Sequence, residues 1–239
     1  MNPLSVSIIG CGRIAFEFES DPLRKKPASH IGAVTSLPEL YTLHSICDHQ
    51  KTRLEKISGN HRICRTYTSH KQLFSDFVPD IAVISASTPS HVPVARDAIA
   101  AGVRGIVLEK PVSPSLLEAR RLLSLQETTR TPVLIFHERR YDPLFNWAFR
   151  QIKTETYGPV RSISARLCSA SFPRGDMKNP YLHFGGGALF HDGTHMLDIL
   201  SYLLSPFQDV SARMQHLDPS AAVETCIRSL MTTTGGIPV

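Results

Sequence analysis

The first half of the chain alternates short apolar runs with stretches that are apolar on one side only. Residues 4–10 (LSVSIIG), 43–48 (LHSICD), 81–87 (IAVISAS), 105–110 (GIVLEK) and 132–136 (PVLIF) are rich in Val, Ile and Leu. Runs this short that stay apolar on both faces predict strands of a parallel sheet covered on each side. Between them lie helical patterns: SHKQLFSDF, HVPVARDAIAAG with Gly102 as C-cap, and SPSLLEARRLLSLQE with Ser113 or Ser115 as N-cap and Glu118 in an early turn. Strands alternating with helices predict βαβ units and a doubly wound α/β domain over residues 1–135.

The pattern changes after Phe136. RYDPLFNWAFRQI predicts an amphipathic helix with Leu144, Trp147, Ala148 and Ile152 on one stripe. Residues 160–171 (VRSISARLCSAS) alternate with period two, as a half-solvated antiparallel strand does. A Pro- and Gly-rich loop over 172–187, a helix over 188–204 and two more alternating strands (DVSARMQHL and AVETCIRSLMTTT) complete an α+β domain over 136–239. That domain is expected to be truncated, because the chain stops at GGIPV, just past a hairpin turn, and leaves a strand short of its partner.

Composition narrows the function classes. With 239 residues, 42% hydrophobic and 20% charged, the chain has material for a sizeable core. Its net charge of +5 is scattered, without the basic stripe of a nucleic-acid binder. Five cysteines, never spaced as CxxC, suit a reducing cytoplasm and supply no thiolate metal site. No apolar run reaches the ~20 residues needed to cross a bilayer, and no positive charge precedes the first apolar run as a targeting signal would require.

Chemistry first shows directly after the first strand. In GCGRIA, Gly10, Gly12 and Ala15 fit G-x-G-x-x-A in the strand-to-helix position of a dinucleotide fingerprint, with Arg13 and Ile14 opening the turn. Glycines there let a pyrophosphate approach backbone N–H groups at a helix start. The second strand ends in Asp48, an acid suited to the two hydroxyls of an adenosine ribose and so to NAD. Asp48 stands further from the glycines than the usual ~20 residues, which an insertion over 16–30 explains. Lys51 and Arg53, just beyond it, leave NADP open through a 2'-phosphate.

Taken together and in order, GCGRIA, STPSH (87–91), LEKP (108–111), RRYDP (139–143) and GGGALFHDGTHMLDIL (185–200) resemble the Gfo/Idh/MocA oxidoreductases, typified by glucose-fructose oxidoreductase and inositol dehydrogenase. The resemblance spans nearly the whole chain. It implies a Rossmann domain, a mostly antiparallel α+β domain whose sheet serves in oligomer contacts (a homo-oligomer here if that sheet is complete), and an active site in the cleft between the two domains. It puts Ser87, Thr88, Pro89 and His91 beside the nicotinamide half of the cofactor, and Glu109 and Lys110 at the end of the fifth strand before a proline that commonly follows a cis peptide. Lys110 is implied as the ammonium facing a sugar, sugar-derivative or cyclitol substrate, where a cation stabilises charge on the reacting oxygen. His195 is implied as general base, a task suited to an imidazole titrating near neutrality.

Two positions depart from the family. His191 stands where relatives carry an aspartate, and Glu138 where many have Asn before the paired arginines. Three readings of His191 follow: it binds substrate, it shares a proton with His195, or catalysis is altered. Asp192, one place on, points about 100° away on a helix and is no simple substitute. HDGTH also looks like a zinc-protease helix, but Gly193 in its middle costs roughly 1 kcal/mol against alanine, and no metal is assigned. Gly185, Gly186 and Gly187 are read as a close backbone approach to substrate or cofactor. A nucleotide-binding regulatory or scaffold protein without catalysis, and redox-neutral glycoside cleavage with transient use of NAD, stand as alternatives.

Overall fold

The computed structural model describes residues 2–61, 65–168, 187–216 and 223–239. They form two compact units, Met1–Phe136 and His137–Val239.

The first unit is built on a six-stranded parallel sheet in the order β3-β2-β1-β4-β5-β6. Its strands are β1 (Leu4–Ile9), β2 (Tyr41–Cys47), β3 (Thr66–Tyr67), β4 (Ile81–Ile84), β5 (Gly105–Glu109) and β6 (Val133–Phe136). The apolar runs are continuous because the sheet is buried on both faces. Along β1, Val6 and Ile8 enter one core cluster with Ile31, Ile46, Leu54 and Ile57, whereas Ile9 enters the other with Leu73, Ile84, Ala95 and Leu108. Ser7 is fully buried in β1, and its hydroxyl hydrogen-bonds that of Ser45 on β2 at 2.8 Å, which satisfies both.

Five helices connect the strands: α1 (His30–Thr35), α2 (Lys51–His61), α3 (His70–Asp76), α4 (Thr88–Ala101) and α5 (Leu116–Thr129). Their ends follow local chemistry. Ser29 and Ser115 cap α1 and α5 by accepting the N–H of Gly32 and of Glu118, and Gly102 ends α4 at φ +93°. The sequence pattern does not reveal α2, whose KTRLEKISGNH is mostly polar and is anchored by Leu54 and Ile57. Nor does it reveal β3, because two residues are too short for a period. The expected insertion is a strap: a 3-10 turn (Glu17–Ser20) precedes α1, and Glu19 accepts the N–H of Ala28 and the hydroxyl of Ser29.

Winding runs outward from the middle of this sheet, with β1-β2-β3 to one side and β4-β5-β6 to the other. The direction reverses between β1 and β4, and the crevice at the carboxyl ends of two such strands is where doubly wound folds receive ligands.

The second unit contains α6 (Pro143–Lys153), α7 (Thr194–Leu203) and the antiparallel pair β7 (Phe207–Gln215) and β8 (Cys226–Thr233). Asp142 caps α6 by accepting the N–H of Leu144, and Pro143 occupies the first turn, where its missing N–H costs nothing. Phe149 stacks on Tyr202 at 4.6 Å between α6 and α7, and Ile199, Leu200 and Leu203 are buried. The expected amphipathic helix forms, with Leu144 and Trp147 of its stripe exposed. One expectation is corrected here. No strand forms over 160–168, because a strand needs a ladder partner; the hydrogen bond recorded there runs from the Ile163 N–H to the Pro238 carbonyl. The rest of that expected strand, residues 169–171, lies outside the described residues. Beyond the Gly235-Gly236 turn, Val239 exchanges both backbone hydrogen bonds with Met231.

Candidate cofactor and active site

The glycine loop is fixed from below and open above. Gly10 holds φ +89°, and a Cβ there would lie 2.5 Å from the Ser85 carbonyl carbon and nearer still to the N and Cα of Ala86. The Ser85 hydroxyl donates across this close approach to the Gly10 carbonyl at 2.7 Å, and on the other side the Gly10 N–H donates to the Cys47 carbonyl at 2.8 Å. At Gly12, by contrast, a Cβ would meet nothing within 4 Å. The Phe16 N–H bonds back to the Gly12 carbonyl, so a helical turn begins there, and the N–H groups heading such a turn have no partner within it. An open face over leading N–H groups fits a pyrophosphate. Arg13 lays its guanidinium over the Phe18 ring at 5.0 Å, and the Ile14 carbonyl accepts the His30 N–H at 3.1 Å. Cys11 is no nucleophile: burial, with Asp48 adding to it, pushes its thiol up to about 12.

Asp48 is more buried than a simple ribose-binding carboxylate, with 5% of its surface exposed. Its carboxylate accepts the Cys11 N–H (2.8 Å), the Gln50 N–H (2.8 Å) and an Arg53 guanidinium N–H (2.9 Å). Burial pushes its pKa up, but these hydrogen bonds and the Arg53 charge outweigh it and hold the group below the usual carboxylate value. Asp48 therefore braces the glycine loop from beneath, and the His49 Nδ1 lies 3.5 Å from its Oδ1.

At the start of α4, Ser87 and Pro89 are exposed and Thr88 is partly so. His91 is placed differently from its neighbours. Only 1% of it is exposed, and its Nδ1 and Nε2 face the Pro111 carbonyl at 2.8 Å and the Ala86 carbonyl at 2.9 Å. Burial pushes its pKa down despite those carbonyls. His91 thus ties the segment after β4 to the segment after β5, and any effect on a cofactor passes through those backbones. At the end of β5, Glu109 is buried against His30, Lys110 is partly exposed, and the Lys110-Pro111 peptide is cis, as the resemblance implies. Sequence reasoning missed His30; its one signal is a histidine directly after the N-cap serine of an apolar helix.

In the second unit the sequence helix over 188–204 divides into a π turn (Leu189–Gly193) and α7. His195 sits on α7 with its Nδ1 3.3 Å from a Glu138 carboxylate oxygen and its ring edge-on to His137 at 5.7 Å. The His191 Nδ1 is 2.9 Å from an Asp192 carboxylate oxygen. Arg140, one of the paired arginines, makes a two-pronged ion pair with Asp198 at 2.7 and 2.8 Å. The reading of the glycine triplet is corrected at Gly187: the group closely approached is Glu224 of the same chain, which accepts the N–H of Ala188 on its carbonyl and that of Leu189 on its carboxylate. Gly185 and Gly186 lie outside the described residues. Among the described residues, no three His, Cys, Asp or Glu side chains are grouped to hold a metal ion, and no helix is long and apolar enough to cross a membrane.

Known proteins of similar sequence and fold agree with this architecture. An uncharacterized oxidoreductase of Schizosaccharomyces pombe is 25% identical over 97% of this chain and 60% of its own length. D-apiose dehydrogenase of Paraburkholderia graminis is 24% identical over 81% of the chain and 51% of its own. The chain thus spans about 60% of the length of the curated relatives it matches over nearly its whole extent. In fold it is similar to an Agrobacterium radiobacter oxidoreductase in complex with NAD+, L-tartaric acid and magnesium (TM-score 0.80, 21% identity, 98% of this chain and 64% of that one). It is also similar to the WlbA dehydrogenase of Bordetella pertussis in complex with NADH and UDP-GlcNAcA (TM-score 0.83, 18% identity, 99% and 70%). Residues 145–239 match the GFO/IDH/MocA C-terminal domain, and residues 4–137, which hold the glycine loop, Asp48 and Lys110, match the oxidoreductase family with the NAD-binding Rossmann fold. The chain belongs to the GFO/IDH/MocA oxidoreductase family.

Proposed function

We propose that this protein transfers a hydride between a nicotinamide dinucleotide and a secondary hydroxyl or keto group of a sugar, sugar derivative or cyclitol. The observation that carries the reading is the braced glycine loop at the β1/β4 reversal, with Lys110 leaving the neighbouring strand β5. Gly10 to Ile14 would hold the pyrophosphate, Asp48 the adenosine ribose, and Ser87 to Pro89 the region of the nicotinamide. When bound, NAD supplies the hydride acceptor, and NADP stands beside it because Arg53 adjoins Asp48. Lys110 stabilises negative charge on the substrate oxygen as the C–H bond breaks, and His195 takes the hydroxyl proton. The balance is alcohol plus oxidised cofactor to ketone, reduced cofactor and a proton. His191, beside Asp192, is assigned to substrate contact. A sugar-type substrate is supported by relatives named D-apiose dehydrogenase and by the WlbA structure with UDP-GlcNAcA.

The test begins with titration of the protein by NADH and by NADPH, followed by nicotinamide emission, then a polyol and sugar-acid screen for NADH formation. Lys110→Ala and His195→Ala are each expected to lower kcat by 10²-fold or more, the usual range for such groups. Unchanged turnover in both variants sinks the role assignment, and absence of binding by either cofactor sinks the whole reading.

A further inference from the structure

We propose that His30 is a positioning residue of this site: through Glu109 it sets the strand end from which Lys110 leaves the sheet, and it ties that end to the glycine loop. The inference rests on the role of Lys110 proposed above. His30 and Glu109 are each 8% exposed, and the His30 Nε2 lies 2.9 Å from a Glu109 carboxylate oxygen. A carboxylate that far from water needs a donor, and the imidazole supplies one. His30 and the residue after it are held at three further points. Its backbone N–H bonds to the Ile14 carbonyl at 3.1 Å, and the Ile31 N–H bonds to the Ala15 carbonyl at 3.0 Å, which fixes the first turn of α1 to the segment leaving the glycine loop. Its ring meets Phe136 edge-on at 5.3 Å, and Phe136 is the register partner of Glu109 across β5 and β6.

One residue therefore joins three places, its backbone the glycine-loop segment and its side chain the ends of β5 and β6, and Lys110 is the next residue along the chain from the carboxylate it holds. A displacement of ~1 Å at a reacting group can cost about 10²-fold in rate. The aliphatic packing of α1 does not explain a buried histidine here, since a leucine would fill the same space without needing Glu109 opposite.

The test uses His30→Leu, which keeps bulk but removes the donor, and His30→Gln, whose amide reaches about as far as Nε2. Two readouts apply: the rate at which sulfo-NHS acetate acetylates Lys110 relative to the other lysines, resolved by peptide mass spectrometry, and kcat and KM on a substrate from the screen. His30→Leu is expected to change the relative Lys110 rate at least threefold and lower kcat 10- to 100-fold, with the NADH Kd within twofold. His30→Gln is expected to restore both to within threefold. Wild-type Lys110 reactivity and kcat in His30→Leu would overturn the proposal. If His30→Leu does not fold, His30→Asn, whose amide stops short of Glu109, replaces it with the same expectations. Loss of stability with normal turnover per folded molecule also overturns it, because the contact would then be structural. If wild type oxidises nothing in the screen, the proposed function fails while the acetylation comparison still decides the role of His30.

Discussion

Alanine at Gly10 and alanine at Gly12 are the same chemical change two residues apart, and the structure assigns them opposite consequences. At Gly10 the added carbon meets backbone of Ser85 and Ala86 at 2.5 Å or less, in a residue already at φ +89°. Left-handed backbone costs an L-residue about 1–2 kcal/mol, and overpacking of this kind adds about 1–3 kcal/mol because β1 or β4 must move. A loss of about 2–5 kcal/mol is a large part of a typical stability of about 5–15 kcal/mol. At 2–4 °C per kcal/mol for a chain of this size, it lowers the Tm by roughly 5–20 °C. At Gly12 the added carbon meets nothing within 4 Å and the backbone is not left-handed, so stability is unchanged or rises by up to about 1 kcal/mol through a less flexible unfolded chain. In the proposed binding mode the same carbon stands in the approach of the pyrophosphate, and an NADH Kd at least tenfold weaker is expected. Differential scanning calorimetry and NADH titration on the two variants separate these effects. A Gly12→Ala protein with wild-type NADH affinity would refute the placement of the pyrophosphate, and a Gly10→Ala protein of wild-type Tm would refute the close approach of β1 and β4.

Three further outcomes follow from the geometry. Asp80 accepts the backbone N–H (2.8 Å) and hydroxyl (2.7 Å) of Ser5 and an Arg104 N–H (2.9 Å), which hold its pKa down to about 2 from 3.8. Its contribution, about 1–2 kcal/mol after solvent screening, is present above pH 3.8 and lost as the pH falls toward 2; Asp80→Asn should therefore trail wild type in urea melts at pH 7 and match it near pH 2, and a constant gap would refute this. Asp48→Asn frees Arg53 and uncharges the proposed ribose site, so NADH binding should weaken about tenfold (~1.4 kcal/mol) while NADPH binding strengthens; an unchanged ratio of the two dissociation constants would count against it. His91→Leu removes the single N–H that a neutral imidazole offers one of these two buried carbonyls and should cost about 1–3 kcal/mol of stability with the NADH Kd within twofold. Because burial lowers the His91 pKa, wild type loses stability as pH falls below the ordinary imidazole value near 6.5 and the variant lacks that loss.

How much of this was legible in the sequence depended on how much of each element's energy is local. The strands β1, β2, β4, β5 and β6 showed as Val and Ile runs because both faces of the sheet are buried, and α4 and α5 showed through their periodicity and caps. The helix α2 escaped because Leu54 and Ile57 are a thin signal in a polar stretch, and they matter only once the sheet stands beneath them. The glycine loop was readable because its geometry demands particular residues at particular spacings. What surrounds it was not: Asp48 was visible as an acid at a strand end, but its bond to the Cys11 N–H, 37 residues back, is a tertiary fact. The His91 contact with the Pro111 carbonyl, the Glu109 partner of His30 and the occupation of the space at Gly187 by Glu224 likewise join residues far apart in the chain, where no period reaches.

The strap over residues 16–29 is closed at its base, where the carbonyls of Ile14 and Ala15 accept the N–H groups of His30 and Ile31 and where Glu19 gathers Ala28 and Ser29. At its tip Asp21 accepts the Leu23 N–H and pairs with Arg24, and Leu23 is 94% exposed. A loop pinned at its base can be lengthened at low cost, about 0.6 kcal/mol for each doubling. The tip is accordingly a place to graft a guest domain a short stretch of chain away from the dinucleotide loop.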